Sequence, residues 1–166
     1  MLTHHRLPVS LSLTAEDSSF FSSVETAATL YQKDTNRFHL LLSAAALPNW
    51  EPFPEAPEDS EDPLLDNELS PRLLRLEISP YRLAMTMQGG GRLSYRHFWE
   101  QGVYGVSRYW LQNDELIGYE SFRLRNYTHN LYIKGNPIPS NLRLEYELWT
   151  ETLCLGKYVL NLEIEH

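Results

Sequence analysis

The chain has 166 residues, 42% hydrophobic and 22% charged, which suits one globular domain with a buried core and excludes a disordered chain. Its net charge of −8 is local: residues 51–68, EPFPEAPEDSEDPLLDNE, hold eight of the 22 acidic residues and no Lys or Arg. The rest is left with 14 acids against 14 bases, so it offers a nucleic-acid backbone no net attraction.

The single cysteine, Cys154, cannot form an intrachain disulfide and fits a reducing compartment. No charged, apolar leader opens the chain, and no apolar run approaches the roughly 20 residues of a spanning helix. The expectation is a cytoplasmic protein with no membrane span. In the absence of a leader, Asn126 in "NYT" is read as a chance match to a glycosylation acceptor rather than a modified site.

In chain order, Leu7, Val9, Leu11 and Leu13 alternate with polar residues, the pattern of a half-buried strand. "TAED" from Thr14 has the form of a capping box, and Phe20, Val24, Ala27, Ala28 and Tyr31 recur at helical spacing, which predicts an amphipathic helix ended by "KDTN". "RFHLLLSAAALP" suits either a strand or a helix stopping before Pro48; the strand reading completes a strand–helix–strand unit. Residues 47–71 are rich in proline and acid, the composition of an extended loop or linker, with Trp50 and Phe53 as residues that would pin it to the body.

From Leu73 the periodicity changes. "LLRLEIS", "YRLAMTM", "LSYRHFW", "VYGVSRYWL", "LIGYESFRLR", "HNLYIK", "LRLEYELW" and "YVLNLEI" are short strand-like runs separated by "SP", "QGGG", "EQG", "QND", "NYT", "GNPIPSN" and "LG". The predicted fold class is α+β, mainly β: a curved antiparallel meander or barrel of about eight strands over residues 73–165. The segment 1–46 packs on it, 47–71 is a loop or linker, and 72–166 is the sheet, all within one domain. This helix-then-meander order and the "NLRLEYE" strand resemble small bilin-carrying β-barrel proteins; the resemblance does not extend to their motifs and assigns no residue a role.

Chemistry is sparse. His4, His5, His39, His97, His129 and His166 show no metal-ligand spacing, Cys154 has no partner thiol, and "QGGG" opens no helix that would cradle a phosphate. No cofactor and no catalytic residue are expected. Glu145, Glu147, Glu163 and Glu165 fall on outward strand positions as a solvated face. The exception is "RHFWEQGVYGVSRYW", residues 96–110, whose strands carry rings and polar groups on both faces.

Arg96, Phe98, Trp99, Tyr104, Arg108, Trp110 and Arg123 are therefore the candidate binding residues. Arginines address carboxylate or phosphate, and rings embrace an apolar body. The leading expectation is a non-catalytic binding or assembly-accessory protein using this sheet face toward a protein partner. The alternative is a lipocalin-like carrier of a small acidic, partly apolar molecule. An enzyme built on a β-barrel cavity is the third, resting on analogy of fold.

Overall fold

The computed structural model describes residues 4–16, 21–43, 73–88, 93–112, 119–135 and 138–166. They form ten strands: β1 (His4–Ala15), β2 (Phe21–Gln32), β3 (Phe38–Ser43), β4 (Leu73–Ser79), β5 (Arg82–Gln88), β6 (Leu93–Glu100), β7 (Tyr104–Gln112), β8 (Tyr119–Lys134), β9 (Asn141–Trp149) and β10 (Cys154–Ile164). Each pairs antiparallel with the next, and β1 pairs with β10 from Val9↔Ile164 to Ala15↔Tyr158, so the sheet is a closed barrel. Closure removes the unpaired edge on which an open meander would aggregate.

Alternation in the sequence explains the core. On β9, Leu142, Leu144, Tyr146 and Leu148 are buried while Asn141 and Arg143 are exposed; on β10, Leu160, Leu162 and Ile164 are buried. Opposite them, Val9, Leu11, Val24, Ala28, Leu30, Phe38, Leu40 and Leu42 complete an interior of mostly aliphatic side chains. Fully burying one such leucine contributes about 1.5–3 kcal/mol, so this layer is the main source of stability.

The helix expected over residues 14–31 is not formed. Residues 14 and 15 belong to β1, and 21–32 make β2, paired with β1 from His4↔Tyr31 to Thr14↔Phe21 and with β3 from Ala28↔Leu42 to Gln32↔Phe38. The physical reason is that a four-residue step keeps to one face of a strand as well as of a helix. Val24 and Ala28 therefore satisfy both patterns, and Leu30 fits the strand alone. Hydrogen bonding on both flanks overrides the propensity of the alanines. "RFHLLLS" is a strand, as read. The N-terminal strands are wall of the barrel rather than a segment laid upon it.

Two more expectations are corrected. The described residues of 73–165 supply seven strands, not about eight, because "YESFRLR", the described part of "LIGYESFRLR", and "HNLYIK" join in the single strand β8. "NYT" is not a turn: Asn126 and Thr128 are fully buried, and the irregularity is a bulge between Thr128 and Asn130. Likewise "LG" is not a turn but a bulge between Cys154 and Gly156 inside the β9–β10 pairing. The chain reverses at residues 150–153, closed by Thr150 N–H to the Leu153 carbonyl at 2.9 Å. The expected loop at 47–71, with Trp50 and Phe53, and the glycines of "QGGG" lie outside the described residues. Among the described residues no helix is long and apolar enough to cross a membrane.

One junction holds the β6–β8 wall together. The β6–β7 pairing runs from Leu93↔Leu111 to His97↔Ser107, beyond which Asn126 of β8 donates from Nδ2 to the Phe98 carbonyl at 3.1 Å. The side-chain amide thus takes over from the ladder. It passes over Gly105, where a Cβ would collide with the Phe98 carbonyl oxygen and come within 2.8 Å of Asn126 Oδ1. Gly105→Ala is expected to cost about 1–3 kcal/mol by overpacking. Thermal unfolding checks this: a Tm lower by several degrees is expected, and an unchanged Tm would show that the junction yields freely.

Candidate functional site

The pleat sends β6 and β7 side chains to opposite sides of the wall. Tyr95, His97 and Trp99 of β6 and Ser107 and Tyr109 of β7 are buried inside. Arg96 and Phe98 of β6, Tyr104, Val106, Arg108 and Trp110 of β7, and Arg123 and Arg125 of β8 stand on the outside. Of the seven candidate residues, six are therefore brought to the outer face, and Trp99 alone is interior.

Inside, rings from four strands, β6 to β9, close round a polar centre. His97 stacks on Trp99 with centroids 4.7 Å apart and planes within 4°, Trp99 meets Tyr146 at 4.9 Å, and Tyr109 stacks on Phe122 at 5.1 Å. Ser107 Oγ accepts from Asn126 Nδ2 at 2.9 Å and lies 2.7 Å from His97 Nδ1. The tautomer of the ring sets the direction of that hydrogen bond, and His97 Nε2 faces Tyr109 OH at 3.5 Å. Burial alone pushes the His97 pKa down from the ordinary 6.5 to about 3, so the ring is neutral, and burial pushes the Tyr109 hydroxyl well up. Trp99 Nε1 and Thr128 Oγ1 are buried in the same sector without a hydrogen-bond partner among the described residues.

Outside, register makes a row that spacing along the chain conceals. Arg75 is opposite Thr86, Thr86 opposite Arg96, Arg96 opposite Arg108, and Arg108 opposite Arg123, so arginines stand at one level across β4–β8. Residues directly opposite have Cβ atoms about 5 Å apart, and like charges so placed weaken a sheet. Arg96 is neutralised: its Nη2 donates to Glu77 at 3.1 Å and its Nη1 to Thr86 Oγ1 at 2.9 Å. Among the described residues, no carboxylate forms an ion pair with Arg108 or Arg123, and both are exposed.

Those two arginines bound an open recess of about 350 Å³, together with Trp110, Ser121 and Phe122. On the same outer face, towards the β6–β7 turn, Phe98 is 38% exposed, Val106 39%, Tyr104 56% and Val103 45%. The Arg125 guanidinium covers the Tyr104 ring at 5.3 Å. An exposed apolar strip thus borders the cationic row. A second recess, about 200 Å³, lies where Arg37, His39, Glu77, Arg82, Arg96 and Phe98 meet on the β3–β6 exterior.

The acidic positions behave as a surface. Glu145 pairs with Arg143 at 3.1 Å, and Glu147 with His129 at 2.9 Å and Lys157 at 3.9 Å; the His129 hydrogen bond holds the Glu147 carboxyl below its usual range. No three His, Cys, Asp or Glu side chains among the described residues converge as metal ligands. Sequence reasoning missed Ser107, Gly105 and Asn126. The signal for Asn126 was present, because "NYT" interrupts no hydrophobic alternation: Leu124, Asn126 and Thr128 follow one parity.

No protein-family model and no curated protein matches the chain. Among solved structures it is similar to the crystal structure of the ywiB protein from Bacillus subtilis, with a TM-score of 0.55 and 11% identity, over 97% of this chain and 94% of that chain. At that identity the likeness establishes the barrel fold alone.

His97 yields a pH prediction. Between pH 6.5 and about 3 the unfolded chain binds a proton at this residue that the folded chain excludes. Its contribution to stability is therefore constant above pH 6.5 and declines below, by about 1.4 kcal/mol per pH unit. Urea unfolding from pH 7 to 5 is expected to show a shallower loss in His97→Gln than in the native protein; parallel slopes would remove His97 as the acid-sensitive group.

Proposed function

We propose that the protein is a non-catalytic binding protein that docks an acidic partner protein on the outer face of β6–β8. The supporting observation is the in-register pair Arg108 and Arg123, carrying no carboxylate partner among the described residues, beside the exposed strip of Phe98, Val103, Tyr104 and Val106. Opposed like charges have no folding rationale, whereas a cationic row beside apolar area suits an interface: the strip supplies contact area, and the arginines supply orientation and rejection of basic partners. The serine–histidine pair found among the described interior residues, Ser107 and His97, is buried, and a base with a pKa near 3 has little capacity to take a proton at neutral pH.

The test is native mass spectrometry and titration calorimetry with the partner that co-purifies from the host. The double charge reversal Arg108→Glu/Arg123→Glu is expected to weaken binding at least about tenfold, and raising salt weakens the native complex. A partner retained at native affinity by the double variant would contradict this face as the docking surface.

The carrier reading keeps one observation in its favour, the buried Trp99 Nε1 and Thr128 Oγ1 in the aromatic sector, which a small interior ligand would satisfy. Its anion contacts, however, would have to come from elsewhere, since Arg96, Arg108 and Arg123 point away from the interior. A small molecule released from host-purified protein on denaturation, in place of a protein partner, would favour it.

A further inference from the structure

We infer that Arg108, Arg123, Ser121 and Trp110 form a subsite for a phosphate monoester carried by a side chain of the docked partner. The inference rests on the docking face proposed above and specifies the group that face is built to hold.

The recess is defined by charge stoichiometry. Arg108 and Arg123 are direct cross-strand partners, with Cβ atoms about 5 Å apart, and Arg96, the next arginine of the row, is already committed to Glu77. Two guanidinium groups side by side, neither ion-paired among the described residues, present two positive charges and a fork of planar N–H donors each. One carboxylate brings a single charge and fills one fork, leaving the other arginine uncompensated. A phosphate monoester brings about −1.5 to −2 charges and three terminal oxygens, enough to engage both forks at once.

The other walls fit the same group. Ser121 stands directly opposite Trp110 on the neighbouring strand, so a hydroxyl donor and a ring lie one level from the arginine pair. A recess of about 350 Å³ exceeds what a phosphate alone needs and leaves room for the side chain that bears it. Recognition of a phosphorylated motif by paired arginines is a recurrent mode of docking, and it suits a face whose remaining area is apolar.

Two adjacent glutamates on the partner would match the same total charge, so the experiment compares them directly. Binding to the full chain is measured by calorimetry for short peptides of one sequence bearing phosphoserine, serine or a Glu–Glu pair, and for inorganic phosphate. The phosphoserine peptide is expected to bind at least about tenfold more tightly than the Glu–Glu peptide, with inorganic phosphate competing. Arg123→Gln, an exposed position whose folding is checked by thermal unfolding, is expected to bring the two peptides within about threefold. Equal affinity for phosphoserine and Glu–Glu in the native protein would overturn the phosphate assignment and leave acidic docking standing. Inorganic phosphate bound while the phosphoserine peptide binds no better than serine would overturn the assignment to a partner side chain. Failure of every anion to bind would overturn both.

Discussion

A pleated strand sends successive side chains to opposite faces, and a sheet that closes on itself turns those faces into an inside and an outside. On β6, the same eight residues that bury Tyr95, His97 and Trp99 are obliged to expose Arg96 and Phe98. Because closure leaves no sheet edge, partners have the outer faces, the barrel ends and the interior to choose from. The arginines are on an outer face.

The interior that enforces this has two characters. An aliphatic sector, from Leu11 through Leu40, Leu42, Leu74 and Leu76 to Leu144 and Leu160, supplies non-directional burial. The sector behind β6–β8 is aromatic and polar, and there the hydrogen bonds among His97, Ser107, Asn126 and the Phe98 carbonyl fix geometry as well as energy. Asn126 ties β8 to both β6 and β7, the three strands that carry Arg96, Arg108 and Arg123. A polar network on the hidden side of a wall is a means of keeping register, and register is what sets the three arginines level.

What could be read from the sequence followed the same physics. The alternation of β9 and β10 was unambiguous because one parity is wholly apolar. On β6 and β7 the two parities were separable, with Tyr95, His97 and Trp99 on one and Tyr104, Val106, Arg108 and Trp110 on the other strand's outer side. The direction of each parity was not, since both mix rings with polar groups; grouping Trp99 with the outer residues came from that. The helix expected over 14–31 failed because Val24 and Ala28 satisfy two periods, and only pairing with β1 and β3 decides between them. The level row of arginines depends on register, which is set by turns and bulges and leaves no trace in spacing along the chain. Asn126 was hidden by composition: a residue that favours turns stands here inside a strand because its amide replaces a missing ladder bond.

If Arg108 and Arg123 face each other without a compensating charge, their proximity works against the fold, at about 1 kcal/mol or less for solvent-exposed charges. Thermal unfolding of Arg123→Thr at low and high ionic strength measures this directly, since threonine relieves the repulsion and suits a strand. The expected result is a higher Tm for the variant at low salt, with the gain shrinking as salt screens the native pair. A lower Tm at both salt concentrations would mean that Arg123 stabilises the barrel, and the arginine row would then be a structural feature rather than a binding face.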